Sequence, residues 1–74
     1  MMQCFIANKE LEKIGLNILI RRHKMNLTQK ELSRAASVSV SKISAIEHGK
    51  TDFTLTLLLR IANVLKVDYH ELIK

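Results

Sequence analysis

No proline interrupts the 74 residues, tryptophan is absent, and there are only two glycines, one cysteine, one tyrosine and two phenylalanines. Each scarcity excludes something. Without proline and with so little glycine, the chain lacks the punctuation of a many-stranded fold and suits helices joined by short turns. The single cysteine, Cys4, cannot form an intrachain disulfide, which fits a reducing, cytoplasmic setting. So few aromatics leave the core to Leu, Ile and Val. No apolar run approaches the roughly 18 residues of a membrane span, so a membrane partner is not expected. Met1 to Ile6 is apolar but too short for a signal peptide, and it lacks a basic flank.

Chemistry-bearing constellations are missing as well. His23, His48 and His70 are far apart, with no metal-ligand spacing. Glu10, Glu12, Glu31, Glu47 and Glu71 show no pairing suited to acid–base catalysis, and no glycine loop offers to cradle a nucleotide. Neither an enzyme nor a metal or cofactor is expected.

What is present is a single domain, residues 1–74, with an apolar segment at 1–7 and a net charge of +5 from 12 basic and 7 acidic residues. That balance leans toward a polyanionic partner. A chain this short buries only about 60% of its unfolded surface, so every apolar face matters.

The pattern predicts an all-α fold of five helices. The first helix is expected from Asn8, as N-cap, to about Met25, with Ala7, Leu11, Ile14, Ile18 and Met25 on the core face. Leu16, Leu19 and Ile20 fall on the opposite side, where charge would be usual. Either Met1, Met2, Phe5 and Ile6 fold back over them, or a protein partner does. Thr28 caps the second helix, Gln29 to Ala36, with Glu31 completing a capping box and Leu27 and Leu32 forming a hydrophobic staple. The staple spacing recurs at Val38/Ile43 around Ser39, at Phe53/Leu58 around Thr54 and at Val67/Leu72 around Asp68, where Glu71 is expected to complete a second box. These mark helices at about Val40–Glu47, Leu55–Leu65 and Tyr69–Ile73. Gly49 is a plausible residue to end the third.

The fourth helix carries an apolar arc wider than one core needs. Self-association is the natural outlet, and a C2 homodimer the commonest form. Leu57 and Val64, with Tyr69 and Ile73 beyond them, are the expected interface.

Residues 28–49, TQKELSRAASVSVSKISAIEHG, hold the functional centre. The three-residue link Ser37–Ser39 forces the second and third helices to cross steeply, as in a helix-turn-helix. The crossing needs a small residue, supplied by Ser33. The turn needs a residue that tolerates positive φ, and Ser37 is placed for it.

The joint spacing of Ile14-Gly15, Ile18, Asn26-Leu27-Thr28-Gln29, Glu31-Leu32, Val38-Ser39, Ile43, Ile46-Glu47, Gly49-Lys50, Thr54-Leu55, Leu58, Ala62, Leu65, Val67 and Glu71-Leu72 resembles the lambda/434 repressor and Cro class, the Xre family. The resemblance implies a lambda-repressor-like fold whose third helix enters the DNA major groove. Ser39, Val40, Ser41, Ser44 and Ala45 would then face the bases. Those residues also share the surface opposite Ile43 and Ile46, and they are small enough for close approach. Gln29 resembles a phosphate-binding family position, and Lys42, His48 and Lys50 flank the third helix within reach of phosphates. Arg22 resembles a position that pairs with Glu47 in a structural ion pair.

One departure is informative. The reading face has no Arg, Gln or Asn, so bidentate base contacts are missing. Val40 and Ala45 can pack on thymine methyls, and Ser41 and Ser44 can donate or accept. Readout would lean on phosphates, water and DNA deformability.

The expected function is sequence-specific transcription regulation, as a repressor of phage or plasmid type or a restriction–modification controller. A dimer would bind double-stranded DNA at an inverted repeat, its recognition helices about 34 Å apart. With no second domain for an inducer, concentration and cooperativity would set regulation. The rivals are an antitoxin-like subunit that binds a protein through Leu16, Leu19 and Ile20 and represses its own promoter, and a protein-interaction module on a helix-turn-helix frame.

Overall fold

A computed structural model describes the backbone of residues 2–74 and the side chains from Lys9 onward. The elements are α1 (Met2–Lys24), α2 (Gln29–Ala35), α3 (Val40–Glu47), α4 (Leu55–Leu65) and a single 3-10 turn, Tyr69–Glu71. At 1.5 Å per residue, α1 would reach about 35 Å, which is the longest dimension of the molecule, 35 × 23 × 20 Å.

Two expectations about the ends of the fold need correction. The helix α1 starts at Met2, so Asn8 lies within it and is no N-cap. Nothing in Met2–Ala7 breaks a helix, and an interior asparagine costs too little to stop one. The proposed cover of Leu16, Leu19 and Ile20 by Met1, Met2, Phe5 and Ile6 involves side chains outside the described residues, as does the core position of Ala7. The fifth helix is replaced by the 3-10 turn, so the described residues form four α-helices. There the Asp68 side chain accepts from His70 N–H at 2.9 Å. Glu71 completes no capping box. Its carboxylate takes Arg21 of α1 at 3.1 Å and Lys74 at 3.2 Å. Asn17 donates to the Leu72 carbonyl at 2.8 Å. Bonds to α1 thus replace the local bonds that a five-residue helix, barely past its nucleation cost, would need.

Helix starts follow the sequence closely elsewhere. Thr28 and Glu31 form the capping box, with reciprocal bonds of 3.0 and 2.8 Å. Ser39 caps α3 by accepting from Lys42 N–H, and Thr54 caps α4 by accepting from Leu57 N–H.

All four helices end in the same way. A residue with positive φ, Asn26, Ser37, Gly49 or Lys66, follows each. The next amide bonds back to the fifth carbonyl before it: Leu27 to Arg22, Val38 to Ser33, Lys50 to Ala45 and Val67 to Ala62. These are Schellman motifs, which satisfy the last carbonyls of a helix. The positive φ of Ser37, 59°, is the one the tight turn required.

The core is Ile18 of α1, Leu32 and Ala36 of α2, Ile43 and Ile46 of α3, Leu57, Leu58, Ile61, Ala62 and Leu65 of α4, and Leu72. Ile14, Met25, Leu27, Val38, Phe53, Val64, Val67 and Tyr69 pack around it. Leu57 corrects the expected interface: it is only 5% exposed within a single chain, beside Lys42, Phe53 and Arg60 at the α3–α4 connection. Val64 and Tyr69 are half-buried, and Ile73 is exposed. Among the described residues, the large apolar side chains left outside are Leu16 (54%) and Ile20 (41%) on α1 and Leu55 and Leu59 on α4, besides Val40 and Ile73. Among the described residues, no helix is long and apolar enough to cross a membrane.

Candidate nucleic-acid interface

The frame for the site is the crossing of α2 and α3. Ser33 is buried there, and its hydroxyl donates to the Lys30 carbonyl at 2.7 Å. The small side chain satisfies itself within α2 and leaves room for the neighbouring helix. Ile43 and Ile46 anchor the inner face of α3 in the core, which turns the opposite face outward.

That outward face lines a shallow concavity of about 520 Å³ formed by Gln29, Val40, Ser41, Ser44, Ala45, His48 and Lys50. The structure therefore brings together four of the five side chains expected to read bases and three of the four expected at phosphates. Ser39 is absent because its hydroxyl is engaged as the N-cap, accepting from Lys42 N–H at 3.0 Å. Lys42 is absent because its ammonium turns the other way, onto the Asp52 carbonyl at 2.8 Å and the Thr51 hydroxyl at 3.3 Å. It ties α3 to the following loop and so does not line the concavity with the other expected phosphate residues. His48 Nδ1 lies 2.8 Å from the Ser44 carbonyl. A carbonyl can only accept, so Nδ1 carries the hydrogen.

A second concavity of about 510 Å³ adjoins the first and shares Gln29 and Val40 with it. Its other lining residues are Arg22, His23, Asn26, Leu27, Thr28 and Lys30. Among the described residues, no acidic side chain lines either concavity. His23, Asn26 and Lys30 were not among the residues expected on this face. The signal available was their position on either side of the turn that leads into Gln29, which only the path of α1 brings to the same face.

Beneath both concavities lies the ion pair expected of Arg22 and Glu47. Arg22 Nε donates to Glu47 Oε2 at 2.7 Å and Nη2 to Oε1 at 3.1 Å. The Glu47 side chain is completely buried. Gln29 Nε2 donates to Glu47 Oε1 at 2.9 Å, and Arg22 Nη1 to the Leu27 carbonyl at 2.7 Å. Among the described residues every buried side-chain nitrogen and oxygen has a partner, the condition under which a buried charge pair is tolerated.

An exposed, acid-free face of small side chains, held by the packing of α3 against α2 and flanked by cations, defines a DNA-binding helix-turn-helix domain. The chain belongs to the helix-turn-helix family, whose match covers residues 18–72. No curated protein sequence matches it. Among solved structures it is similar to the restriction-modification controller protein C.AhdI from Aeromonas hydrophila, with a TM-score of 0.84 and 25% identity, covering 86% of this chain and 97% of that one. The clp gene regulator ClgR from Corynebacterium glutamicum shares the fold in two structures. Their TM-scores are 0.82 and 0.80, each at 24% identity and over 84% of this chain, covering 66% and 80% of those chains. The family makes this chain a DNA-binding protein of the transcription-regulator class and not an enzyme.

Proposed function

We propose that the chain is a cytoplasmic, sequence-specific regulator that binds an inverted-repeat operator as a homodimer, in the manner of a restriction–modification controller or a compact phage or plasmid repressor. The observation that carries this reading is the acid-free concavity on the outer face of α3, rimmed by His48 and Lys50. Val40, Ser41, Ser44 and Ala45 meet base edges. Gln29, His48 and Lys50 meet phosphates, and His23, Asn26 and Lys30 extend the backbone contacts along the second concavity. Similarity along nearly the full length of a controller protein supports the controller reading.

The dimer is proposed on the side of α4 that carries Val64, continuing to Tyr69 and Ile73. Leu57 is excluded from it by its place in the core. Leu59 lies about 140° around the helix from Val64, which gives a clean test. Val64→Lys should sediment as a monomer, and Leu59→Lys as a dimer.

Selection of sites from random duplex DNA tests the whole reading. The expected product is an inverted repeat with half-sites about one helical turn apart, bound by two protomers and weakened by salt. Recovery of no site, with the protein folded, sinks it.

A second reading has one specific support, the exposure of Leu16 and Ile20 one turn apart on α1. It makes the chain a subunit that also holds a protein partner, antitoxin-like, through these residues and Leu19. A neighbouring gene product that co-purifies with the wild type but not with Leu16→Lys is the expected result under that reading.

A further inference from the structure

Gln29 is the residue that, with Val40, lines both concavities, so its side chain sits on the ridge between them. Behind it stands Glu47, whose side chain has no exposed surface and cannot itself touch DNA. The Glu47 carboxylate receives Arg22 on both oxygens and Gln29 Nε2 on Oε1. An ionised carboxylate only accepts hydrogen bonds. It therefore decides which end of the Gln29 amide faces inward, and that end is the nitrogen. A glutamine facing water alone could turn either way. Arg22 neutralises the carboxylate, so a phosphate arriving at the ridge meets the amide with no net negative charge behind it.

We propose that Glu47 is a positioning residue for DNA: held by Arg22, it fixes Gln29 nitrogen-inward, so that the second N–H of the amide is offered to a backbone phosphate crossing the ridge. The proposal rests on the DNA-binding reading above, in which Gln29 meets a phosphate. It links three elements in one chain of bonds, Arg22 on α1, Glu47 on α3 and Gln29 at the start of α2.

The test uses the full chain and a selected duplex in which each phosphate in turn is replaced by a neutral methylphosphonate. Wild type should lose about tenfold in affinity at one phosphate per half-site through this contact, as befits a hydrogen bond to a charged group. Gln29→Ala should abolish the penalty at that phosphate and leave the others. Glu47→Gln should abolish the same penalty, because a neutral amide at position 47 no longer dictates the orientation of Gln29. The double variant should bind no worse than Glu47→Gln alone. Urea unfolding of Glu47→Gln is the stability control, so that a penalty lost in a protein shown to be folded is read as lost positioning. If Glu47→Gln does not fold, the wild type still decides. One Gln29 Nε2 proton should resist solvent exchange in the free protein, and the other should shift on binding the native duplex but not the methylphosphonate duplex. A Glu47→Gln protein that retains the penalty, or that weakens all duplexes alike, overturns the proposal, as does a wild type whose two Gln29 protons exchange equally. A wild type that selects no duplex defeats the DNA-binding reading itself, and the proposal with it. Unchanged penalties in Gln29→Ala defeat the Gln29 contact while leaving DNA binding intact.

Discussion

Gly15 on α1 lies directly against the carbonyl oxygen of Ile46 near the end of α3. A Cβ at this position would overlap that oxygen and fall 2.8 Å from the Glu47 carbonyl oxygen. Both obstacles are backbone, so neither can step aside by changing rotamer. Glycine within a helix normally costs about 1 kcal/mol relative to alanine, and here that cost is accepted for close approach. Gly15→Ala is therefore expected to invert the usual propensity gain. Overpacking should destabilise the protein by about 2 kcal/mol, read as a lower midpoint of urea unfolding with an unchanged slope. Because α3 is the element displaced, DNA affinity should fall in the variant even at temperatures where it remains folded.

Ala45 tests the reading face most harshly. It is half-buried in the concavity and outside the core. Ala45→Glu should leave unfolding within about 0.5 kcal/mol of wild type, as for most surface substitutions. A carboxylate set against DNA costs several kcal/mol, so affinity for the selected site should drop by more than about 100-fold. Wild-type affinity in this variant would remove α3 as the reader.

Lys50 and Lys42 should separate cleanly in salt titrations. Each phosphate neutralised contributes about 0.9 to the slope of log affinity against log salt. Lys50→Ala should lower that slope by about this amount per protomer, because its side chain lines the concavity. Lys42→Ala should leave the slope unchanged and instead cost about 1 kcal/mol of stability, because its ammonium is bonded to the Asp52 carbonyl and Thr51 hydroxyl.

Asp68 gives the C-terminal turn a pH dependence. Bonds from the His70 backbone N–H, and then from its side chain, hold the Asp68 carboxyl below its usual range. A carboxyl with a depressed folded pKa stabilises the fold above its unfolded value of about 3.9 and loses that contribution as pH falls through the lower folded value. Asp68→Asn should therefore melt below wild type at pH 7, and the gap should close in strong acid. A gap that persists at pH 2 would show that the capping bonds do not depend on the charge.

Features set by neighbours in sequence were legible beforehand, and those set by distant partners were not. Thr28 and Glu31 complete each other within one turn of helix, and Ser37 and Gly49 end helices where the apolar pattern stops. Glu71 had a local bond open to it and took Arg21 instead, 50 residues away in sequence. Lys42 has a long, flexible side chain, and its direction is decided by where the α3–α4 loop places the Asp52 carbonyl. Leu57 lies at the edge of the apolar arc of α4, and its burial at the α3–α4 connection depends on tertiary packing. Asn26 and Lys66 adopt the same left-handed turn as Gly49, but lysine gives no residue-level hint of it. For the proposed site, which side chains share the outer face of α3 was readable from period and spacing. The addition of His23, Asn26 and Lys30 required the path of α1.

The small side chains on α3 also bear on the entropy of complex formation. Immobilising a side chain rich in rotamers costs about 0.5–1.5 kcal/mol on binding. Val40, Ser41, Ser44 and Ala45 have little such freedom to surrender, and Gln29 has already been ordered by Glu47 in the free protein. If the proposed face meets DNA, little of the protein's ordering cost falls on the bases' side of the contact, and most of it falls on the long side chains of Lys30 and Lys50 at the phosphates.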